Sequence, residues 1–84
     1  MTIKQVENYL RRYGMQIYEM QDEKDKRKRY YKLLYPIFNG PERRPSSNGI
    51  RLEKRAIDIY LYAKSLLDNE EYRERCKAWW INNF

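Results

Sequence analysis

The chain has 84 residues, a net charge of +6 and a single cysteine, so it is expected to form one small domain, residues 1–84, without disulfides. An apolar fraction of 42% is enough for a packed core and argues against wholesale disorder. No apolar run approaches the roughly 20 residues of a membrane span, and no signal peptide is recognisable. These features predict a cytoplasmic protein that does not enter membranes.

The first predicted element is a long amphipathic helix from about residue 2 to residue 35. Its apolar residues recur at steps of three and four: Ile3, Val6, Leu10, Tyr13, Ile17 and Met20. Between positions 22 and 29, acidic residues precede basic residues by four, an orientation that supports a helix. Pro36 ends the helix, because the residue before a proline disfavours the helical region. A kink near residues 21–24 is the alternative, since polar residues interrupt the apolar seam there.

The remainder of the chain is predicted to form a loop and two more helices. Residues 36–48 make a 13-residue irregular loop. A second helix over residues 49–67 runs antiparallel to the first, and Ser47 or Asn48 could cap it. A short third helix over residues 69–82 follows. The predicted fold is therefore all-α, a three-helix arrangement with no sheet.

Most of the positive charge lies in residues 24–55, which hold eleven basic and three acidic side chains. In an antiparallel helical hairpin this segment would share one end of the molecule and form a site for the phosphates of a nucleic acid. The residues expected to contact phosphates are Arg27, Lys28, Arg29, Lys32, Arg43, Arg44, Arg51, Lys54 and Arg55. The alternatives are a charged surface that is only solvated, or a site for an acidic protein partner.

Residue types that support catalysis are missing. The chain has no histidine, so acid–base catalysis at neutral pH would fall to carboxylates or to a perturbed lysine or cysteine. Cys76 lies at core spacing with Tyr72 and Trp79, which favours a buried, inert thiol over a nucleophile. Neither a glycine-rich phosphate loop nor a metal-ligand cluster is present. The prediction is a protein that is not an enzyme and needs no cofactor or metal.

The C-terminal stretch AWWINNF offers a second candidate surface. Two adjacent tryptophans cannot both face the core side of one helix. One of Trp79 and Trp80, together with Phe84, is therefore expected to bind a protein partner. The alternative is that both tryptophans pack within the monomer. The apolar seam of the first helix is also suited to self-association, so a homodimer is a further expectation.

Three stretches of the chain resemble the N-terminal part of phage transcription regulators of the ArpU/RinA type: VENYLRRYGMQIYEM, RPSSNGIRLEKRAI and LLDNEEYRERCKA. Members of that family commonly continue into a helix-turn-helix that holds DNA. This chain stops at Phe84, about where such a module would begin. The resemblance implies a shortened form, an accessory protein or a module that works through a partner.

Charge and resemblance together predict a small, basic, phage-like regulatory protein. It would bind nucleic acid phosphates through one positively charged end, with DNA favoured over RNA. The alternative is a phage-encoded inhibitor or adaptor that acts on a host protein complex through its aromatic surface.

Overall fold

Three helices and a three-stranded antiparallel sheet make up the protein, in a computed structural model that describes residues 2–83, with side chains to Ile81. The elements are α1 Ile3–Arg11, β1 Gln16–Gln21, β2 Arg29–Ile37, β3 Ser47–Glu53, α2 Ala56–Leu67 and α3 Glu70–Asn83. The prediction of an all-α fold with a helix over residues 2–35 is therefore wrong. No helix in the described part of the chain combines the length and apolar character needed to cross a membrane.

Gly14 is the reason that the first helix is short. Its φ of +71° lies in the left-handed region, which glycine adopts without steric cost. The Met15 N–H donates to the Leu10 carbonyl at 3.1 Å, and the Gly14 N–H donates to the Arg11 carbonyl at 3.2 Å. This bond pair is a Schellman motif, in which a glycine ends a helix and turns the chain away. The apolar seam thus leaves the helix after Leu10.

The sheet has strand order β1-β2-β3, and its inner face is packed against α1 and α2. Ile17 of β1 pairs with Leu33 of β2, and both side chains are buried on this face. Along β2, Tyr31, Leu33 and Tyr35 alternate inward, with the period of two that a strand requires. The buried cluster that joins the sheet to both helices consists of Val6, Leu10, Met15, Ile17, Leu33, Ile59, Ala63 and Leu67.

The second helix is also shorter than predicted. Ser47 and Asn48 do not cap a helix, because they are the first residues of β3. The helix α2 begins at Ala56, after Arg55, whose side chain does not cap it. The connection between β2 and β3 covers residues 38–46 rather than 36–48. In contrast, α3 lies within a residue of the predicted third helix, and the Asn69 side chain caps it by accepting the Tyr72 N–H at 3.1 Å.

The strand directions divide the molecule into two ends. The "turn end" comprises residues 22–29 and 53–58, where β1 turns into β2 and β3 leads into α2. The "loop end" comprises residues 12–15 and 38–46, and α3 packs across it. There the Tyr72 hydroxyl donates to the Pro36 carbonyl at 2.7 Å, and the Arg75 guanidinium donates to the Gly40 carbonyl at 2.9 Å.

We expect Gly14→Ala to destabilise the protein more than Gly40→Ala, although both residues have positive φ angles of 71° and 90°. Left-handed alanine costs about 1–2 kcal/mol at either position. A Cβ on Gly14 would also lie 2.4 Å from the Trp79 ring, whereas a Cβ on Gly40 would meet nothing within 4 Å. This overpacking adds about 1–3 kcal/mol for Gly14→Ala. Urea unfolding of both variants measures the difference, and equal losses would contradict the packing of Trp79 against Gly14.

Candidate nucleic-acid interface

The connection between β1 and β2 is a tight turn closed by its two aspartates. The Asp22 N–H donates to the Lys28 carbonyl, and the Lys28 N–H donates to the Asp25 carbonyl, both at 3.0 Å. The Asp22 carboxylate accepts the Lys24 N–H at 2.9 Å, and the Asp25 carboxylate accepts the Arg27 N–H at 3.0 Å. Such Asx turns let an aspartate compete with helical hydrogen bonding and hold the backbone in a turn.

The basic side chains of this turn have no acidic partner. The four ion pairs found among the described side chains join Arg29 to Glu19, Arg51 to Glu53, Arg55 to Asp58 and Arg75 to Glu71. None of these pairs includes the cations Lys24, Lys26, Arg27, Lys28 or Lys54. All five are exposed, so their charges face solvent at the turn end. An incoming polyanion could therefore bind them without first displacing a carboxylate.

An open groove of about 1020 Å³ lies at the turn end. Tyr30 and Leu52, from the ends of β2 and β3, lie along it. The charged residues that line it are Lys28, Arg29, Lys54, Arg55, Asp22, Glu53 and Asp58. The groove thus brings together the turn, two strand ends and the start of α2. The first N–H groups of α2 have no side-chain cap, so they add partial positive charge here.

Acidic residues moderate the charge of the turn end. Residues 22–29 and 53–58 together contain seven basic and five acidic side chains, a net charge of +2. Four of the five acidic groups have specific partners, however, and Glu53 is paired with Arg51. Asp22 and Asp25 bind backbone N–H groups, and Asp58 accepts two hydrogen bonds from the Arg55 guanidinium, at 2.9 and 3.1 Å. These contacts fix carboxylates in place while the lysines extend outward.

The residues predicted to contact phosphates do not form one patch. Arg27, Lys28, Arg29, Lys54 and Arg55 lie at the turn end. The expectation that the whole basic segment shares one end is wrong, because that segment contains two full strands. Two of the predicted residues, Arg43 and Arg44, belong to the connection at the loop end. Two others, Lys32 and Arg51, lie on strands between the two ends.

Strand β2 separates the two ends by roughly 26 Å, at about 3.3 Å per residue. Lys32 and Arg51 lie between them and each contacts an aromatic ring. The Lys32 ammonium lies 5.5 Å from the Tyr18 ring centre, and the Arg51 guanidinium lies 4.7 Å from the Tyr62 ring centre. Arg51 is also held by Glu53 at 2.7 Å, so it is less available to phosphates than the cations of the turn.

The two tryptophans pack against the chain itself. Trp79 and Trp80 are half-buried and meet edge to face, with ring centres 6.2 Å apart. Both rings also come close to Gly14, which places them over the end of α1. The prediction for Phe84 lies outside the described residues. The geometry thus favours the alternative in which both tryptophans pack within the monomer.

Cys76 is fully buried in α3, and burial raises the pKa of its thiol to about 11. A thiol with such a pKa is almost entirely protonated at neutral pH and is a poor nucleophile. Within the described residues, no group of three or more His, Cys, Asp or Glu side chains is placed to hold a metal ion.

Sequence reasoning missed the residues that shape this end. Asp22 and Asp25 were interpreted as helical ion-pair partners, and Leu52 was expected on the second helix rather than on a strand beside the groove. The sequence does contain a signal for the turn. Two aspartates lie three residues apart, and each is followed two positions later by a basic residue, a pattern that suits consecutive Asx turns. Comparison of the chain with protein-family profiles, curated proteins and solved structures finds no match.

We expect the Asp58 carboxyl to titrate below the ordinary value of an aspartate. The hydrogen bond from Arg55 lowers the pKa of this carboxyl, and the charge of Arg55 acts in the same direction. The stabilisation is therefore present at neutral pH and is lost as the pH falls through the lowered pKa. An NMR titration should show the pKa of Asp58 rising in Arg55→Gln and unchanged in Arg51→Gln. A pKa unaffected by Arg55→Gln would contradict the ion pair.

We expect the Cys76 thiol of the folded protein to resist alkylation, because it is buried and its pKa is raised to about 11. Iodoacetamide at pH 8 should modify the native chain at least about 100-fold more slowly than the chain unfolded in guanidinium. Mass spectrometry of timed samples measures both rates. Similar rates in the two states would show that the thiol is accessible.

Proposed function

We propose that the protein binds the phosphate backbone of a double-stranded nucleic acid through its turn end. The observation that supports this most is the cluster of cations without acidic partners: Lys24, Lys26, Arg27, Lys28 and Lys54. Two of them, Lys28 and Lys54, line the groove that also receives the uncapped start of α2, and the other three belong to the adjoining turn. Lysine, arginine and helix N-termini are the groups that most often contact phosphate oxygens.

The proposed contacts do not read base sequence. An element that reads B-DNA enters the major groove and offers hydrogen-bond donors and acceptors to base edges. Here the cations of the turn end belong to a turn, to strand ends and to the residues just before α2, so no helix presents a row of side chains at this site. The expected binding is therefore to backbone and shape.

Of the two kinds of duplex, the geometry favours RNA. Duplex RNA has a major groove too narrow for side chains to read, and proteins hold it largely by shape, through phosphates and 2′-hydroxyls. A compact cation cluster without a base-reading element suits that mode. The same cluster could hold the phosphates of duplex DNA, so the preference for DNA that the sequence suggested stays a prediction. A single strand is a weaker candidate, because Tyr30, the aromatic residue of the groove, is half-buried and offers little surface for stacking.

The proposal places the protein in the cytoplasm, where duplex RNA and phage DNA are both present. The regulatory role implied by the resemblance to phage regulators stays a prediction. The alternative of an inhibitor acting through exposed tryptophans is not developed, because both tryptophans pack on the chain itself.

We expect Lys26→Glu/Arg27→Glu to weaken duplex binding by about tenfold or more, because it reverses two cations at the turn end. Arg43→Glu/Arg44→Glu is the matched control, since it changes the net charge by the same amount at the loop end. The control should weaken binding by less than about threefold, through long-range charge alone. Fluorescence anisotropy of labelled duplex RNA, duplex DNA and single-stranded RNA, at two salt concentrations, measures these affinities.

The salt dependence supplies a second criterion. For duplex DNA, each neutralised phosphate contributes about −0.9 to the slope of log affinity against log salt, so four contacts predict a slope near −3.6. Equal weakening by the two double variants would refute a local site and indicate diffuse attraction. Preference for the single strand would refute binding to a duplex backbone.

A further inference from the structure

The face of the sheet that turns away from the helices is apolar for an exposed surface. We call it the outer face. The strand register places neighbouring side chains from all three strands on it, with Tyr18 opposite Lys32 and Lys32 opposite Leu52. Its members are Gln16, Tyr18, Met20, Tyr30, Lys32, Leu34, Pro36, Asn48, Ile50 and Leu52. Lys32 is the one charged residue among them.

The most exposed apolar residues of this face lie on β3. Ile50 is 61% exposed and Leu52 is 56% exposed, and β3 is an edge strand of the sheet. Edge strands present unpaired backbone N–H and C=O groups, and proteins usually protect them with lysines, prolines or bulges. Strand β3 has the sequence SNGIRLE, without lysine or proline, and its one arginine is paired with Glu53. It is therefore open to pairing with another strand.

Two identical outer faces stacked on each other would not make a good dimer. Three strands about 4.8 Å apart and roughly 23 Å long offer a flat area near 330 Å². A stable interface buries about 800 Å² on each partner. A face-to-face dimer would also bring the Lys32 ammonium groups, on the central strand, under cover without counter-charges, which is costly.

We propose that a second copy of this chain binds along β3, so that the two β3 strands pair antiparallel and form one six-stranded sheet. Backbone hydrogen bonds would join the edges, while Ile50 and Leu52 of each copy cover those of the other on the outer face. Lys32 lies on β2, which β3 separates from the new junction, so its ammonium group stays in solvent. A two-fold axis relates the copies, so each contributes the same surface.

Charge placement supports this arrangement over other dimers. Each chain carries a net charge of +6, so two copies repel if their cation clusters meet. Antiparallel pairing of β3 directs the two turn ends to opposite ends of the joined sheet. In such a dimer the cations of the proposed nucleic-acid interface stay exposed at the tips of the sheet. Leu52 belongs to both surfaces, because it lines the groove and also lies on the edge strand β3.

Sedimentation velocity of the full chain, from about 10 µM to 1 mM, tests the proposal. The interface is near or below the roughly 1,200 Å² of stable complexes, so a weak dimer in this concentration range is expected. Ile50→Lys should shift the dimerisation constant at least about tenfold toward monomer, and Ile50 does not line the nucleic-acid groove. Leu61→Lys is the matched control, because Leu61 is 54% exposed on α2, away from β3, and should dimerise as the wild type does.

Two further measurements make the outcome decisive. Ile50→Thr retains a residue that favours strands, and it should also weaken dimerisation if Ile50→Lys fails to fold. Hydrogen exchange of β3 amides should slow with rising concentration in the wild type. A wild type that stays monomeric at 1 mM, equal effects of Ile50→Lys and Leu61→Lys, or unchanged exchange in β3 would each overturn the proposal. None of these results bears on nucleic-acid binding by the monomer.

Discussion

The left-handed turn at Gly14 is the constraint on which the architecture depends. It ends α1 after about two and a half turns and returns the chain as β1, so that Met15 enters the core from the turn and Ile17 from a strand. The bare Cα of Gly14 also leaves the space into which Trp79 packs. One residue therefore determines both the length of the first helix and the position of the last one. In a domain this small, with a core of few side chains, such a shared contact accounts for a large part of the stability.

The parts of the fold that could be predicted are those in which the apolar residues follow a single period, either that of a helix or that of a strand. Val6 and Leu10 follow the helical spacing and are buried as expected, and α3 lies close to its predicted position. The error came from continuing the helical count beyond Gly14. Ile17 lies seven residues after Leu10, a spacing that suits a heptad, but here the intervening turn places it on a strand. The tyrosine-rich run of β2 is apolar on both faces, so its alternation is hidden in the sequence.

The sequence predicted which types of residue make up the candidate site, but not which of them lie together. An excess of lysine and arginine in the middle of the chain is visible by counting, and five of the predicted residues do lie together at the turn end. Their grouping depends on strand direction, which separates them from Arg43 and Arg44. The spacing of acidic and basic residues four apart in residues 22–29 is as compatible with a helix as with the turn that forms. The Asp22 and Asp25 carboxylates accept backbone N–H groups two residues on, and such bonds do not form in the interior of a helix, where those N–H groups donate to carbonyls.

The hydrogen bond from Tyr72 to Pro36 has a consequence for how the sheet is shielded. Strand β1 ends its pairing at Leu34, so the last residues of β2 have β3 on one side only. Proline is tolerated there because that side lacks a strand that would need its missing N–H. The Tyr72 hydroxyl donates to the Pro36 carbonyl. The helix α3 thereby covers this stretch of β2 and prevents it from pairing with a strand of another molecule. The molecule thus blocks one potential site of aggregation with a helix side chain while it leaves the strand on the far side of β2 accessible.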